Sequence, residues 1–369
     1  MTRRLDPLIG RALVSCVAGS GGAELEQVIR LGRLDRLIDA GRSHRVLNLV
    51  HLATVELVDP NDELAAGLKR YHIHQVGHHL RALEDLAGID RVLAARGIEW
   101  IVVKGPALSE VVYERSDLRV YKDLDIVIRG GAFGEAIEAF ESAGSELLDR
   151  NWALIRREGR AQLHVVLRLG TIADVHHHLL NRAVVRNSFA LPMDELFDRV
   201  RRVEVGNVIV GTLDPVDTLL HLCIHGGLAG GHQLLWLKDI DTSVRREAPP
   251  WDLLIERAQR WRAGSIVALM LRRAATTLGT PVPADALEAL FGRSGRAGLS
   301  AIVDRRWPTE TAGTAVSPAV VWAEVVRDSW PASVLALARR LKRSFVNAVR
   351  GPERQDEPGR HVHDAAPLP

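Results

Sequence analysis

The sequence predicts an α+β fold: a small mixed sheet flanked by an N-terminal helical segment and a C-terminal helical domain. Apolar residues recur at helical spacing on both sides of a central stretch, 97–212, in which the period shortens to that of strands. Within that stretch, short β-branched runs end in glycine turns. The 369 residues, 47% hydrophobic and 25% charged, suit two or three packed units rather than one core or a disordered chain.

Taken in order, residues 1–96 form the helical segment, with Val28, Leu31, Leu34 and Leu37 and later Leu64, Leu68, Leu80, Leu83 and Leu86 at helical intervals, punctuated by Gly41, Pro60 and Gly88. At Ile98–Val103 the chain becomes a buried strand, ending in a Lys104-Gly105-Pro106 turn with proline at the first position of a helix. Leu124–Ile128 is a second strand and Ala132–Ala143 a helix closed by Gly144. Gln162–Leu169 and Thr171–His178 pair about a turn at Gly170, and Val203–Val210 is a hairpin about Gly206-Asn207. Residues 213–350 return to helices: one from Asp214-Pro215 to Gly226-Gly227, then Leu234–Val244, Trp251–Arg262, Ser265–Leu278, and Pro318–Val349 with a break at Pro331. The proline-rich tail, 351–369, is expected to be disordered.

With 48 basic against 46 acidic residues, bulk charge excludes a general polyanion binder, so contact with nucleic acid would need a local patch. The basic run Arg339–Arg343 is one such patch, fit for nucleic acid or an anionic membrane, or for nothing more than a solvated helix face. No apolar stretch reaches the roughly 18–20 residues of a membrane span, and no signal peptide is evident. Cys16 and Cys223 alone give neither a disulfide framework nor a thiolate metal site, which points to the reducing cytoplasm.

The chemistry concentrates in Lys104–Leu108 and Arg119–Val127. Strand alternation puts Asp123 and Asp125 on one face, with Leu124 and Ile126 on the other. Two such carboxylates are solvated, paired with Arg119 or Lys122, or bound to a hard cation, for which oxygen ligands select Mg²⁺ or Mn²⁺. On the solvent side of a strand they should contribute little to packing. A third carboxylate from a neighbouring strand would complete a two-metal site; Asp174 occupies such a strand, with Asp149 and Asp194 as rivals. Gly105, ahead of a helix N-terminus, offers free amides for a triphosphate. His176 shares the Asp174 strand face and could orient substrate. His221 and His225 have the spacing of a two-histidine zinc face but lack the glutamate of HExxH, and His74 and His78 have no partnering ligand nearby, so packing is the expected role of all four.

A strand ending in KGPAL, Tyr113 several residues on, then R…DLDIV and later DVH resembles the type 5 family of uncharacterised bacterial nucleotidyltransferases, within the polymerase β-like superfamily. The resemblance covers roughly residues 90–245, including the DPVDTLLHLCIHG and LLWLKDI segments. It implies transfer of a nucleoside monophosphate from an NTP to an acceptor hydroxyl, with pyrophosphate leaving. It further implies that Asp123 and Asp125 hold both metals, that Asp174 binds the metal at the acceptor oxygen and serves as base, and that Lys104 and Lys122 neutralise phosphate charge. In the superfamily the turn is usually Gly-Ser or Gly-Gly; Gly105-Pro106 lacks that hydroxyl and one amide donor. The acceptor, whether small molecule, peptide or RNA, is open. A toxin-like transferase acting on tRNA or protein and a scaffold that binds NTP without turnover are the alternatives.

Overall fold

The computed structural model describes residues 5–292, 295–311, 317–351 and 353–356. The fold is α+β, as expected, and divides into two compact units. The first comprises residues up to Gly77, Arg115–Val120 and Leu219–Leu337; the second comprises His78–Glu114, Tyr121–Thr218 and the residues from Ala338 onward.

The first unit is helical. Its opening helix, Pro7–Ala18, shows how locally the ends are specified: the Asp6 carboxylate accepts from the Leu8 amide at 2.8 Å, proline fills the first turn, and Gly19 ends the helix in the left-handed region. At the centre of the unit lies Gly264–Leu278, with Ile266 to Leu271 all buried; a run of apolar residues this long covers every side of a helix, so that stretch must be surrounded by others. Arg273 in this helix is buried and fully used, donating to Asp304 and to the carbonyls of Gly230, Gly231 and Ala319. Arg119, from the inserted strip Arg115–Val120, makes a buried two-pronged contact with Asp239 of Leu234–Glu247, at 2.8 and 3.0 Å.

The second unit carries the sheet. Its strands are β1 (Trp100–Val102), β2 (Asp123–Ile128), β3 (Glu146–Leu147), β4 (Gln162–Val166) and β5 (Ile172–His176), in the order β1-β2-β5-β4-β3. Only β2 and β5 are parallel; the other pairs are antiparallel. Alternation sends Leu124, Ile126 and Ile128, Leu163 and Val165, and Ala173 and Val175 into one core. There they meet Leu86, Ile89 and Leu93 of the helix Glu63–Ala94 and Ala136, Ile137 and Phe140 of the helix Phe133–Ser142. The opposite residues of β2, β4 and β5 are left to the other face, where the polar side chains stand. A hairpin of β6 (Arg201–Val205) and β7 (Val208–Thr212) turns at Gly206 with φ +62°, and Thr212 Oγ1 donates to the Val102 carbonyl of β1 at 2.6 Å. Asp85 accepts from the amides of Leu169 and Thr171, so the β4–β5 turn is pinned from the helix.

The chain breaks before the expected position: the helix Pro318–Val325 ends four residues short of Trp330–Arg350, and Pro331 sits in the first turn of the second helix, where a proline is tolerated. Of the tail read as 351–369, residues 352 and 357–369 lie outside the described residues. Gln355 is buried: its carbonyl accepts from the amides of Arg150 and Asn151, its side-chain amide donates to the Gln162 carbonyl, and Arg160 donates to its side-chain oxygen.

Candidate metal and nucleotide site

Pairing of β2 with β5 sets Asp125 directly across from Asp174, with Asp123 opposite Ile172 and Val127 opposite His176. Because the strands are parallel and in this register, the polar face of each contributes to one cluster. Asp125, Asp174 and His176 each offer a ligand atom within 4.8 Å of the others, which among the described residues is the one such three-residue group. Asp123 precedes Asp125 by two positions on the same strand face and is half-buried, but it is outside that group.

Asp125 and Lys104 are both buried and form an ion pair at 3.0 Å. A basic partner of Asp125 is thus Lys104, just beyond β1, while Arg119 makes its two-pronged contact with Asp239 and Lys122 is exposed. This corrects the expectation that solvent-side strand carboxylates contribute little to packing, since a buried pair strongly resists loss of one partner.

Asp174 sits among like charges. Burial, followed by the charges of Asp125 and Asp123, pushes its pKa up to about 7, with His164 and Lys104 pulling the other way. Both ring nitrogens of buried His176 lack a hydrogen-bond partner, although its Nε2 lies 3.6 Å from Asp125 Oδ1. A group of carboxylates that raise one another's proton affinity, beside imidazole nitrogens without hydrogen-bond partners, has the donor chemistry of a divalent-cation site: two hard oxygen donors and one nitrogen.

Behind Asp174 stands a group that the sequence pattern did not reveal. His164 on β4 pairs directly across from Asp174, and its Nε2 is 3.6 Å from Asp174 Oδ1. Its Nδ1 is 3.1 Å from the buried carboxylate of Asp149, which also accepts from the His164 amide at 2.6 Å. The hydrogen bond to Asp149 and the neighbouring carboxylate charges raise the His164 pKa, against the effect of burial. Gln162, two residues earlier on the same face, donates to Asp174 Oδ2. So Asp149, a rival for the place of Asp174, instead holds the histidine next to it, and Asp194 is at the surface near Arg129. The available signal was alternation, which puts Gln162 and His164 on one face of β4; the register that aims them at Asp174 depends on the length of the turn at Gly170.

Gly105 occupies a conformation, φ +60° and ψ −128°, that side chains avoid, and a Cβ there would meet the Asp123 carbonyl oxygen at 3.3 Å. The glycine therefore lets β1 turn closely over the start of β2. The helix it opens, Pro106–Val111, has 6 residues, with proline in its first turn. Gly105→Ala should cost about 1–3 kcal/mol, read as a lower urea midpoint with an unchanged denaturant slope. An unchanged midpoint would show that the turn relaxes freely. Nearby, His79 bridges Glu110 and the Tyr121 hydroxyl, at 2.7 Å to each, and so fixes the tyrosine that leads into β2.

Among the described residues the other histidine pairs belong to no such group. His221 and His225 have ring centres 5.9 Å apart in the helix Pro215–Leu228 and lie in no three-ligand cluster among the described residues. Trp236, in the second matched segment, packs edge-on against His225 and His232.

No curated protein and no solved structure matches the chain. A family model described as uncharacterised nucleotidyltransferase matches residues 32–279, about two thirds of the length, and spans the whole β2–β5 cluster together with Lys104 and Asp239. The chain belongs to that nucleotidyltransferase family.

Proposed function

We propose that the protein moves a nucleoside monophosphate from an NTP to an acceptor hydroxyl in a reaction that depends on Mg²⁺ or Mn²⁺. The observation carrying this reading is the convergence of Asp125, Asp174 and His176 within 4.8 Å on adjacent parallel strands of a nucleotidyltransferase-family chain. These three residues would hold the cation, and Asp123, on the same strand face, adds negative charge at its edge. When bound, the cation supplies charge neutralisation for the phosphates and makes an acceptor hydroxyl easier to ionise.

The chain's own groups do the rest. Lys104 fixes the Asp125 carboxylate through a buried ion pair, and Asp149, through His164, backs Asp174. Lys122, exposed next to Asp123 in sequence, would meet phosphate oxygens, the role the resemblance gives it. In the transfer, the acceptor oxygen bonds to the α-phosphorus, the bond from that phosphorus to pyrophosphate breaks, and the acceptor's proton passes to Asp174, the role the resemblance gives that position. Positioning and electrostatics account for most of such catalysis, so the rigidity of two hydrogen-bonded strands matters as much as the charges they carry.

The test is label transfer. Each of the four NTPs, labelled at the α-phosphate, is incubated with protein, Mg²⁺ and a cell extract separated into small-molecule, protein and RNA fractions. The reading expects one fraction to take up α-label, pyrophosphate to appear with it, and EDTA to abolish both. Label in no fraction, or uptake that persists in EDTA, overturns it. The fraction labelled identifies the acceptor class.

A further inference from the structure

The helix Trp330–Arg350 bears the basic run Arg339–Arg343 and takes no part in the chemistry above. Its charge is unlike that of the rest of the chain. The whole protein balances 48 basic with 46 acidic residues, yet between Asp328 and Glu353 no acidic residue occurs, against Arg339, Arg340, Lys342, Arg343 and Arg350. From Leu341 to Val349 every side chain is exposed.

Exposure here includes large apolar groups in register. Val334, Ala338, Leu341, Phe345 and Val349 follow one another at steps of three and four residues. At about 100° per residue they fall within roughly 80° of arc, a continuous stripe along one side of the helix. Phe345 is 70%, Val349 66% and Val334 63% exposed, with Leu335, Leu341 and Val346 also open to water. Arg339 and Arg343 lie roughly opposite the stripe, and Lys342 flanks it. Helices without packing are marginal in water, and a stripe of this size on a folded surface signals something that covers it.

The charge decides what does. A nucleic acid would engage the basic side and leave the apolar stripe in water. A second copy could cover the stripe but would bring five further positive charges against five. An anionic lipid surface satisfies both faces: apolar side chains enter below the headgroups, while arginine and lysine extend to the phosphates above. We infer that the helix Trp330–Arg350 lies flat on an anionic membrane surface, apolar stripe inward, and holds the protein there. It rests on the bilayer without crossing it; among the described residues no helix is long and apolar enough to cross.

The full chain is sedimented with vesicles of phosphatidylcholine, alone or with about a third phosphatidylglycerol. It should sediment with the anionic vesicles, little with the neutral ones, and less as salt is raised. The double variant Leu341→Glu/Phe345→Glu should bind at least about tenfold more weakly, with unchanged thermal unfolding because both side chains face water in the folded protein. Failure of the wild type to sediment with anionic vesicles overturns the proposal, as does equal sedimentation of the variant. So does a wild-type dimer that the variant splits into monomers, which would make the stripe a self-association face. Binding of a single-stranded RNA probe without vesicle binding would likewise reject the lipid surface.

Discussion

Asp125→Asn and Asp174→Asn should each reduce nucleotidyl transfer by about 10³-fold or more, equivalent to ~4 kcal/mol of transition-state stabilisation. An amide keeps the size of the side chain and one oxygen but lacks the charge that holds a divalent cation, and both residues belong to the same three-donor group. The two variants should nevertheless differ in stability. Asp125→Asn leaves the buried Lys104 ammonium without its partner and should be destabilised by about 3–5 kcal/mol. Asp174→Asn removes a carboxylate whose ionised form is disfavoured by burial and by two like charges, and it should be as stable as wild type or more so. Equal losses of activity from opposite changes in stability could not arise from unfolding. Pyrophosphate release measured beside thermal melts decides it: near-wild-type activity in either variant removes that residue from the catalytic assignment.

Much of this site could be seen in the sequence, for a definable reason. Asp123, Asp125 and Asp174 lie in strands whose alternation is clear, and the pattern KGPAL…DLDIV…DVH is local enough to fix the order of elements. The 6-residue helix after Gly105, the turn at Gly170 and the hairpin at Gly206 follow from glycines with positive φ and the proline at the helix start. What could not be seen is cross-strand. Asp149 lies in a stretch without periodicity, 15 residues before the histidine it holds, and nothing local distinguishes it from Asp194. The resemblance offered Lys104 as a cation for phosphate; its buried pairing with Asp125 follows only from the antiparallel register of β1 and β2. Arg119 was equally eligible to pair with the strand aspartates; its partner is 120 residues away in sequence. Pairings of that range depend on how helices pack, which hydrophobic spacing alone does not specify.

The metal-free protein should lose stability as pH rises from about 4 to 7, and a divalent cation should restore it. Asp174 has a pKa of about 7 in the folded state against 3.8 as its ordinary value, so between those values the native protein binds a proton that the unfolded chain has released. Stability from this group is full below the ordinary value, falls through the interval and is absent above the folded value. A rise from 3.8 to about 7 corresponds to at most about 4 kcal/mol, several degrees in Tm for a protein of this size. The raised pKa of His164 acts in the same sense, its contribution also being lost as pH rises through the folded value. Asp174→Asn therefore flattens the profile only in part: the share of His164 held by Asp149 remains, whereas the share owed to Asp174 disappears. At pH 8 in EDTA the variant should melt higher than wild type; adding Mn²⁺ should raise the wild-type Tm and leave the variant's nearly unchanged, because binding to the native state alone stabilises by mass action. Calorimetric melts across pH 4–9 with and without Mn²⁺ measure all four curves. Coincident wild-type and variant profiles would mean that Asp174 carries no excess charge to be relieved, and the cation would have to be held by a different set of donors.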